Sequence, residues 1–172
     1  VPLDHLRALH AFTRANRMRL HLDGARLWNA SVATGIPIRE WTANAATVMM
    51  CFSKGLGTPV GSILVGSASL IHRARRVRKR WGGAMRQVGV LAGACLHALD
   101  HHVDRLADDH RRARTLASGF RAAPGVWVTE PETNILYVTL EHPSLDAPAL
   151  LQRLGERGVR LSQFGPRLLR AI

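Results

Sequence analysis

Two residues in this chain have types and surroundings that could act together in chemistry. Lys54 stands in FSKGLGTPVGS, residues 52–62, directly after the apolar run TVMMCF. A surface lysine needs no such setting, whereas a lysine that must reach a buried electrophile does. Gly55 and Gly57 leave room beside the backbone for something flat and bulky. Asp23 stands 31 residues earlier in MRLHLDGAR, at the end of a short alternating run and just before Gly24. If both runs are strands of one parallel sheet, the amine and the carboxylate share its carboxyl edge, where ligands of α/β folds bind. That pair suits pyridoxal phosphate. The lysine forms a Schiff base with the cofactor aldehyde, and the carboxylate keeps the pyridine nitrogen protonated so that the ring accepts electrons. Asp23 could instead cap the following helix. A phosphate-binding lysine would also stand among glycines, although the pattern GxxxxGK[ST] is absent. Arg26 falls in the first turn of that helix, where a cation opposes the helix dipole and requires an anion, such as a bound carboxylate.

The elements that must position these residues follow from periodicity. Residues 3–18 carry Leu3, Leu6, Leu9, Phe12 and Ala15 at helical spacing, and 18–23 alternate as a short strand. ARLWNASVA reads as a helix ended by Gly35 and Pro37, giving a βα unit of a parallel sheet. Residues 46–52 form a continuous apolar run, as a buried parallel strand does, and SILVG, 62–66, reads as another such strand. A basic helix over 67–80 follows, then Trp81-Gly82-Gly83. From Gln87 one long helix is expected to about Leu116, closed by Gly119. Beyond it, 126–130, 134–140, VRLS and RLLRAI read as strands and PALLQRLGERG as a helix. The chain therefore divides into residues 1–118 and a smaller α/β layer, 119–172, without internal repeats.

Composition narrows the function classes. Apolar residues make up 47% of 172, which argues against disorder, and no run of 18 apolar residues points to a membrane span. The two cysteines, Cys51 and Cys95, lie inside apolar patterns and read as free thiols of a reducing, cytoplasmic compartment. The formal charge of +12 is concentrated in HRARRVRKR, residues 72–80. Nucleic-acid binding would add a finger, an RNP pattern or interleaved aromatics, and none accompanies it, so a solvated or intersubunit helix is the expected reading. His97 and His101, with Asp100, Asp104 and Asp108 near them, could suggest a metal. The spacing is not HExxH, and exposed helix surface is expected instead. The first residues, without Met or a signal peptide, read like the inside of a longer chain, and the end after Ile172 is equally abrupt.

HLDGARLWNA, CFSKGLGTPVGS and RKRWGGAMRQVGVLAGA resemble the successive blocks of low-specificity L-threonine aldolases, in that family's order and spacing. These are fold-type I pyridoxal phosphate enzymes, grouped with the aromatic amino acid β-eliminating lyases. The resemblance runs over the whole chain. It implies an α/β fold comprising the second half of the large cofactor-binding domain and most of the small C-terminal domain. It implies Lys54 as the Schiff-base lysine, Asp23 as the partner of the pyridine nitrogen, and Arg26 as a holder of the substrate carboxylate or the cofactor surroundings. It further implies Arg86 as a ligand of the cofactor phosphate across a subunit interface, and Lys79 as directed to a neighbour's site. Arg170 in LLRAI resembles the second carboxylate-binding arginine. Ala84 stands where the family has a third glycine, and Trp81 is larger than usual there. ANAATVMM lacks an aspartate-serine pair, and the family's phosphate-cradling glycine loop and ring-stacking histidine are not in this sequence.

The expected activity is aldol cleavage of L-threonine, L-allo-threonine and related β-hydroxy amino acids to glycine and an aldehyde, in a homodimer or homotetramer with shared sites. No metal, nucleic acid or membrane takes part in that reading. Two alternatives stay open. One is another pyridoxal phosphate reaction on the same scaffold, β-elimination or racemisation. The other is a non-catalytic module that works through its basic helix.

Overall fold

A computed structural model describes residues 1–144 and 146–172. The chain forms two compact units, Val1–Leu106 and Ala107–Ile172. The division falls between residues 106 and 107, whereas the sequence reading set a boundary near 119. Among the described residues no helix is long and apolar enough to cross a membrane.

The first unit contains α1 (Leu3–Ala15), β1 (His21–Asp23), α2 (Leu27–Thr34), α3 (Ile38–Thr42), β2 (Thr47–Cys51), β3 (Ser62–Gly66), α4 (Ala68–Arg80) and α5 (Gly89–His101). β1 pairs in parallel with β2, His21 opposite Thr47 and Asp23 opposite Met49. The crossover through α2 and α3 makes that direction possible. Alternation along β2 sends Val48 and Met50 into a core with Leu6, Leu27 and Trp41. Gly24 is required where β1 ends. Its N–H donates to the Met49 carbonyl at 2.8 Å, and a Cβ there would stand 2.9 Å from that oxygen.

β3 departs from expectation. It runs antiparallel to β2, Cys51 opposite Ser62 and Thr47 opposite Gly66, and all five of its residues are exposed. The connection 52–61 holds no helix, and a crossover back to a parallel strand needs a dozen or more residues, so the chain returns antiparallel. The single helix expected from Gln87 to Leu116 is also corrected. α5 ends at His101, a turn closed by Leu106 N–H to Val103 O (3.1 Å) intervenes, and α6 spans Leu106–Arg121. Leu106 then packs with Phe52, Leu56 and Ala98. Apolar spacing continues through the turn, which is why periodicity alone shows no break.

The second unit follows α6 with β4 (Val126–Val128), β5 (Leu136–Leu140), α7 (Ala147–Glu156), β6 (Ser162–Gly165) and β7 (Leu168–Ala171). Its sheet is antiparallel throughout, in the order β4-β5-β7-β6. One face buries Val128, Leu136, Val138, Leu140 and Leu169 against Ala113 and Ala117 of α6 and Ala147 of α7. The Asp146 carboxylate caps α7 by accepting from Ala149 N–H at 2.9 Å.

Candidate active site

The parallel pairing of β1 and β2 brings Asp23 and Lys54 to the same carboxyl edge of the sheet. Asp23 is the last residue of β1, and Lys54 lies just beyond Cys51, the last residue of β2. Asp23 is exposed. One carboxylate oxygen accepts from Ala25 N–H at 3.1 Å, a local turn rather than the helix cap considered from sequence. The residue at the cap position of α2 is Arg26, one step before the first helical turn assigned to it. Its Nε is buried and has no hydrogen-bond partner. A buried donor left open at a helix N-terminus, facing no protein acceptor, is what an anion would satisfy.

Lys54 is exposed, and its amine has no hydrogen bond or ion pair among the described residues. Its backbone is fixed more closely. Gly57 N–H donates to Lys54 O at 2.9 Å with Gly57 at φ +71°, in the left-handed region that favours glycine. Thr58 N–H reaches Phe52 O at 3.3 Å, and Phe52 N–H reaches Gly61 O at 3.0 Å. Beneath the turn lies Asn29 of α2, 2% exposed. A Cβ on Gly55 would stand 2.7 Å from Leu106 Cδ2 and 3.2 Å from Asn29 Oδ1. Gly55 therefore serves close packing on its protein side.

Lys79 lies in the last turn of α4 and Arg86 between α4 and α5. Both are exposed, and neither has an ion pair among the described residues. Arg170 is in β7 of the second unit, opposite Tyr137 and Ser162. Its guanidinium lies 4.7 Å from the Phe164 ring centroid, and Phe164 meets Tyr137 edge-on at 5.5 Å. Arg170 Nε is buried without a partner, like that of Arg26. The structure thus gathers Asp23, Arg26 and Lys54 on one edge. Among the described residues no hydrogen bond or ion pair ties Lys79, Arg86 or Arg170 to them.

Unmet groups test whether this edge suits pyridoxal phosphate. The cofactor offers an anionic phosphate, a pyridine nitrogen that needs a carboxylate, and an aldehyde that needs an amine. The edge offers an open amine, a carboxylate with an uncommitted oxygen, and a buried guanidinium donor without an acceptor. The residues present fit that group.

Some contributors escaped the sequence reading. Asn29 was visible only as a polar residue inside the apolar segment LWNASVA. His102 was overshadowed by His97 and His101. Those two rings are exposed and 4.4 Å apart, whereas His102 turns inward and its Nδ1 lies 2.7 Å from Leu56 O. Among the described residues no three His, Cys, Asp or Glu are arranged to hold a metal ion. Phe164, the platform under Arg170, carried no sequence signal beyond its apolar type.

Residues 1–143 match the Beta-eliminating lyase family. Low-specificity L-threonine aldolase 1 of Arabidopsis thaliana is 39% identical over 99% of this chain and 48% of its own length. The low specificity L-threonine aldolase of Escherichia coli K12 is 43% identical over 94% of this chain and 48% of its own. The chain thus spans about half the length of the curated relatives it matches. A Listeria monocytogenes EGD-E structure, described provisionally as an L-allo-threonine aldolase, superposes with a TM-score of 0.83 at 24% identity, covering 99% of this chain and 50% of that one. That likeness bears out the α/β fold expected from sequence.

Proposed function

We propose that this chain, which belongs to the Beta-eliminating lyase family, carries the covalent anchor of a pyridoxal phosphate enzyme that cleaves threonine-like β-hydroxy amino acids. The observation that carries this reading is the parallel β1–β2 pair, which sets a carboxylate and an unpaired amine on one sheet edge. The named relatives support the choice of reaction.

When bound, pyridoxal phosphate supplies an electron sink for the charge left on Cα as a bond there breaks. The chain's own residues hold and orient. Lys54 Nζ is the attachment point. Asp23 keeps a proton on the ring nitrogen, and Arg86 takes the phosphate. Arg26 and Arg170 offer guanidinium donors for the substrate carboxylate, each with a buried Nε that lacks a partner. Fixing the carboxylate would orient the substrate and so select which of its Cα bonds is broken. In the aldol direction the β-hydroxyl loses its proton, the Cα–Cβ bond breaks, and Cα gains a proton, so threonine gives acetaldehyde and glycine.

The working form is a cytoplasmic homo-oligomer in which Arg86 and Lys79 serve a neighbouring site. The free thiols Cys51 and Cys95 suit a reducing compartment. The test is borohydride reduction of the full-length protein with its cofactor, followed by peptide mapping. The added mass is expected on Lys54, and a label on Lys79 instead would overturn the assignment. Acetaldehyde and glycine from threonine support aldol cleavage, whereas pyruvate from serine without aldehyde would assign β-elimination. Mixing Arg86→Ala with Lys54→Ala subunits should restore part of the activity if sites are shared.

A further inference from the structure

The turn that presents Lys54 is held from outside itself. Its internal bonds, Gly57 N–H to Lys54 O and Thr58 N–H to Phe52 O, leave the Leu56 carbonyl for another donor. That oxygen lies 2.7 Å from Nδ1 of His102, 46 residues away in sequence. His102 occupies the cap position at the end of α5, with its backbone N–H on Ala98 O and the ring of His97 edge-on at 5.4 Å. The Leu56 side chain is 1% exposed and packs with Phe52, Ala98 and Leu106. A carbonyl is acceptor-only, so His102 carries a proton on Nδ1 and donates it here. The Lys54 amine has no partner among the described residues, so the backbone of this turn sets where the amine can reach.

We propose that His102 is a positioning residue for Lys54: it clamps the lysine-bearing turn to the end of α5 through the Leu56 carbonyl. The inference rests on the reading of Lys54 as the covalent anchor, but its core, a clamp on the turn, can be measured without it. His102 closes the last turn of α5, its backbone N–H on Ala98 O at 2.9 Å, so the ring is carried by the helix end.

Three variants of the full-length protein separate the clamp from simple packing. In asparagine the side-chain NH2 stands as many bonds from Cα as Nδ1 does, so His102→Asn keeps a donor in place. His102→Gln sets its NH2 one bond too far, and His102→Leu has no donor. Hydrogen exchange at residues 54–58 is measured in each, together with the rate at which Lys54 takes up pyridoxal phosphate, trapped by borohydride. Exchange at Gly57 should speed up, and labelling slow down, by roughly 2- to 10-fold in the Leu and Gln variants, the range that corresponds to one net hydrogen bond. The Asn variant should stay near the unsubstituted protein. Exchange across β4–β7 should be unchanged in all three. Equal behaviour of Gln and Asn, or an unaltered turn in the Leu variant, overturns the clamp. If the Leu variant does not fold, the Asn–Gln comparison decides. If the unsubstituted protein takes no label on Lys54, the cofactor reading fails, and the exchange measurement still decides the clamp.

Discussion

Leu169 in the second unit and Leu64 in the first are both strand leucines, yet Leu169 is 0% exposed and Leu64 is 40% exposed. In the second unit, four antiparallel strands present one apolar face to α6 and α7, and the core closes on itself. In the first, the strand that follows the Lys54 turn exposes Ile63, Leu64 and Val65 on both faces. Beside it lies an apolar cleft of about 360 Å³ lined by residues including Phe52, Ile63, Leu91, Cys95 and Leu99. Residue type alone does not determine burial, because burial requires something to pack against. The second unit closes its own core, although Arg170 Nε there is left without a partner. The first unit carries Asp23, Arg26 and Lys54 beside open apolar surface.

Five experiments break or sharpen that contrast. Leu169→Ala should cost about 2–5 kcal/mol in chemical unfolding, because it opens a cavity in a closed core. A small loss would mean that the second unit is less completely packed than its burial indicates. Asp23→Asn should slow threonine cleavage in the full-length protein roughly 100- to 1000-fold, the scale of one lost preorganised electrostatic contribution. Stability should stay nearly unchanged, since the Asp23 carboxylate makes one local hydrogen bond. Near-normal turnover would remove Asp23 from the ring-nitrogen role. Gly55→Ala should destabilise the Lys54 turn by about 1–3 kcal/mol through overpacking against Leu106, as measured by the denaturation midpoint.

The fourth experiment concerns acid. His110 of α6 is 3% exposed, and its pKa lies below the ordinary 6.5 because burial penalises the imidazolium. The Arg114 charge lowers it further and Asp109 partly offsets this. Above about pH 6.5 the ring is neutral in both folded and unfolded chains. As pH falls below that value the unfolded chain binds a proton that the folded one resists, so stability is lost toward acid. Unfolding of the second unit between pH 8 and 5 should show that slope, and His110→Gln should flatten it. The smallest effect is expected at the open strand. Leu64→Thr should change stability by no more than about 0.5 kcal/mol, as exposed positions do. A loss as large as that of Leu169→Ala would show that β3 is covered in solution.

Much of the candidate site was legible because its signals are local. Asp23 before Gly24, and Lys54 after an apolar run, each mark a strand end within a few residues. What the sequence concealed was relational. The direction of β3 depends on the absence of a helix between residues 52 and 61, and its exposure depends on what packs over it. The interruption between α5 and α6 preserves apolar spacing, so periodicity passes through it unmarked. His102 and Leu56 are joined across 46 residues by one hydrogen bond that neither residue's type announces.

The parallel pairing of β1 with β2 also sets an order of events during folding. His21 and Thr47, 26 residues apart, are joined by a side-chain hydrogen bond only when that pairing is made. β4 and β5, by contrast, are antiparallel neighbours in sequence and need only a short loop to close. Loops that enclose a crossover lose more chain entropy before any contact repays it, so such pairings form late. Asp23 and Lys54 are therefore strangers in a nascent chain. The carboxylate and the amine come to one edge only when the crossover pairing has closed.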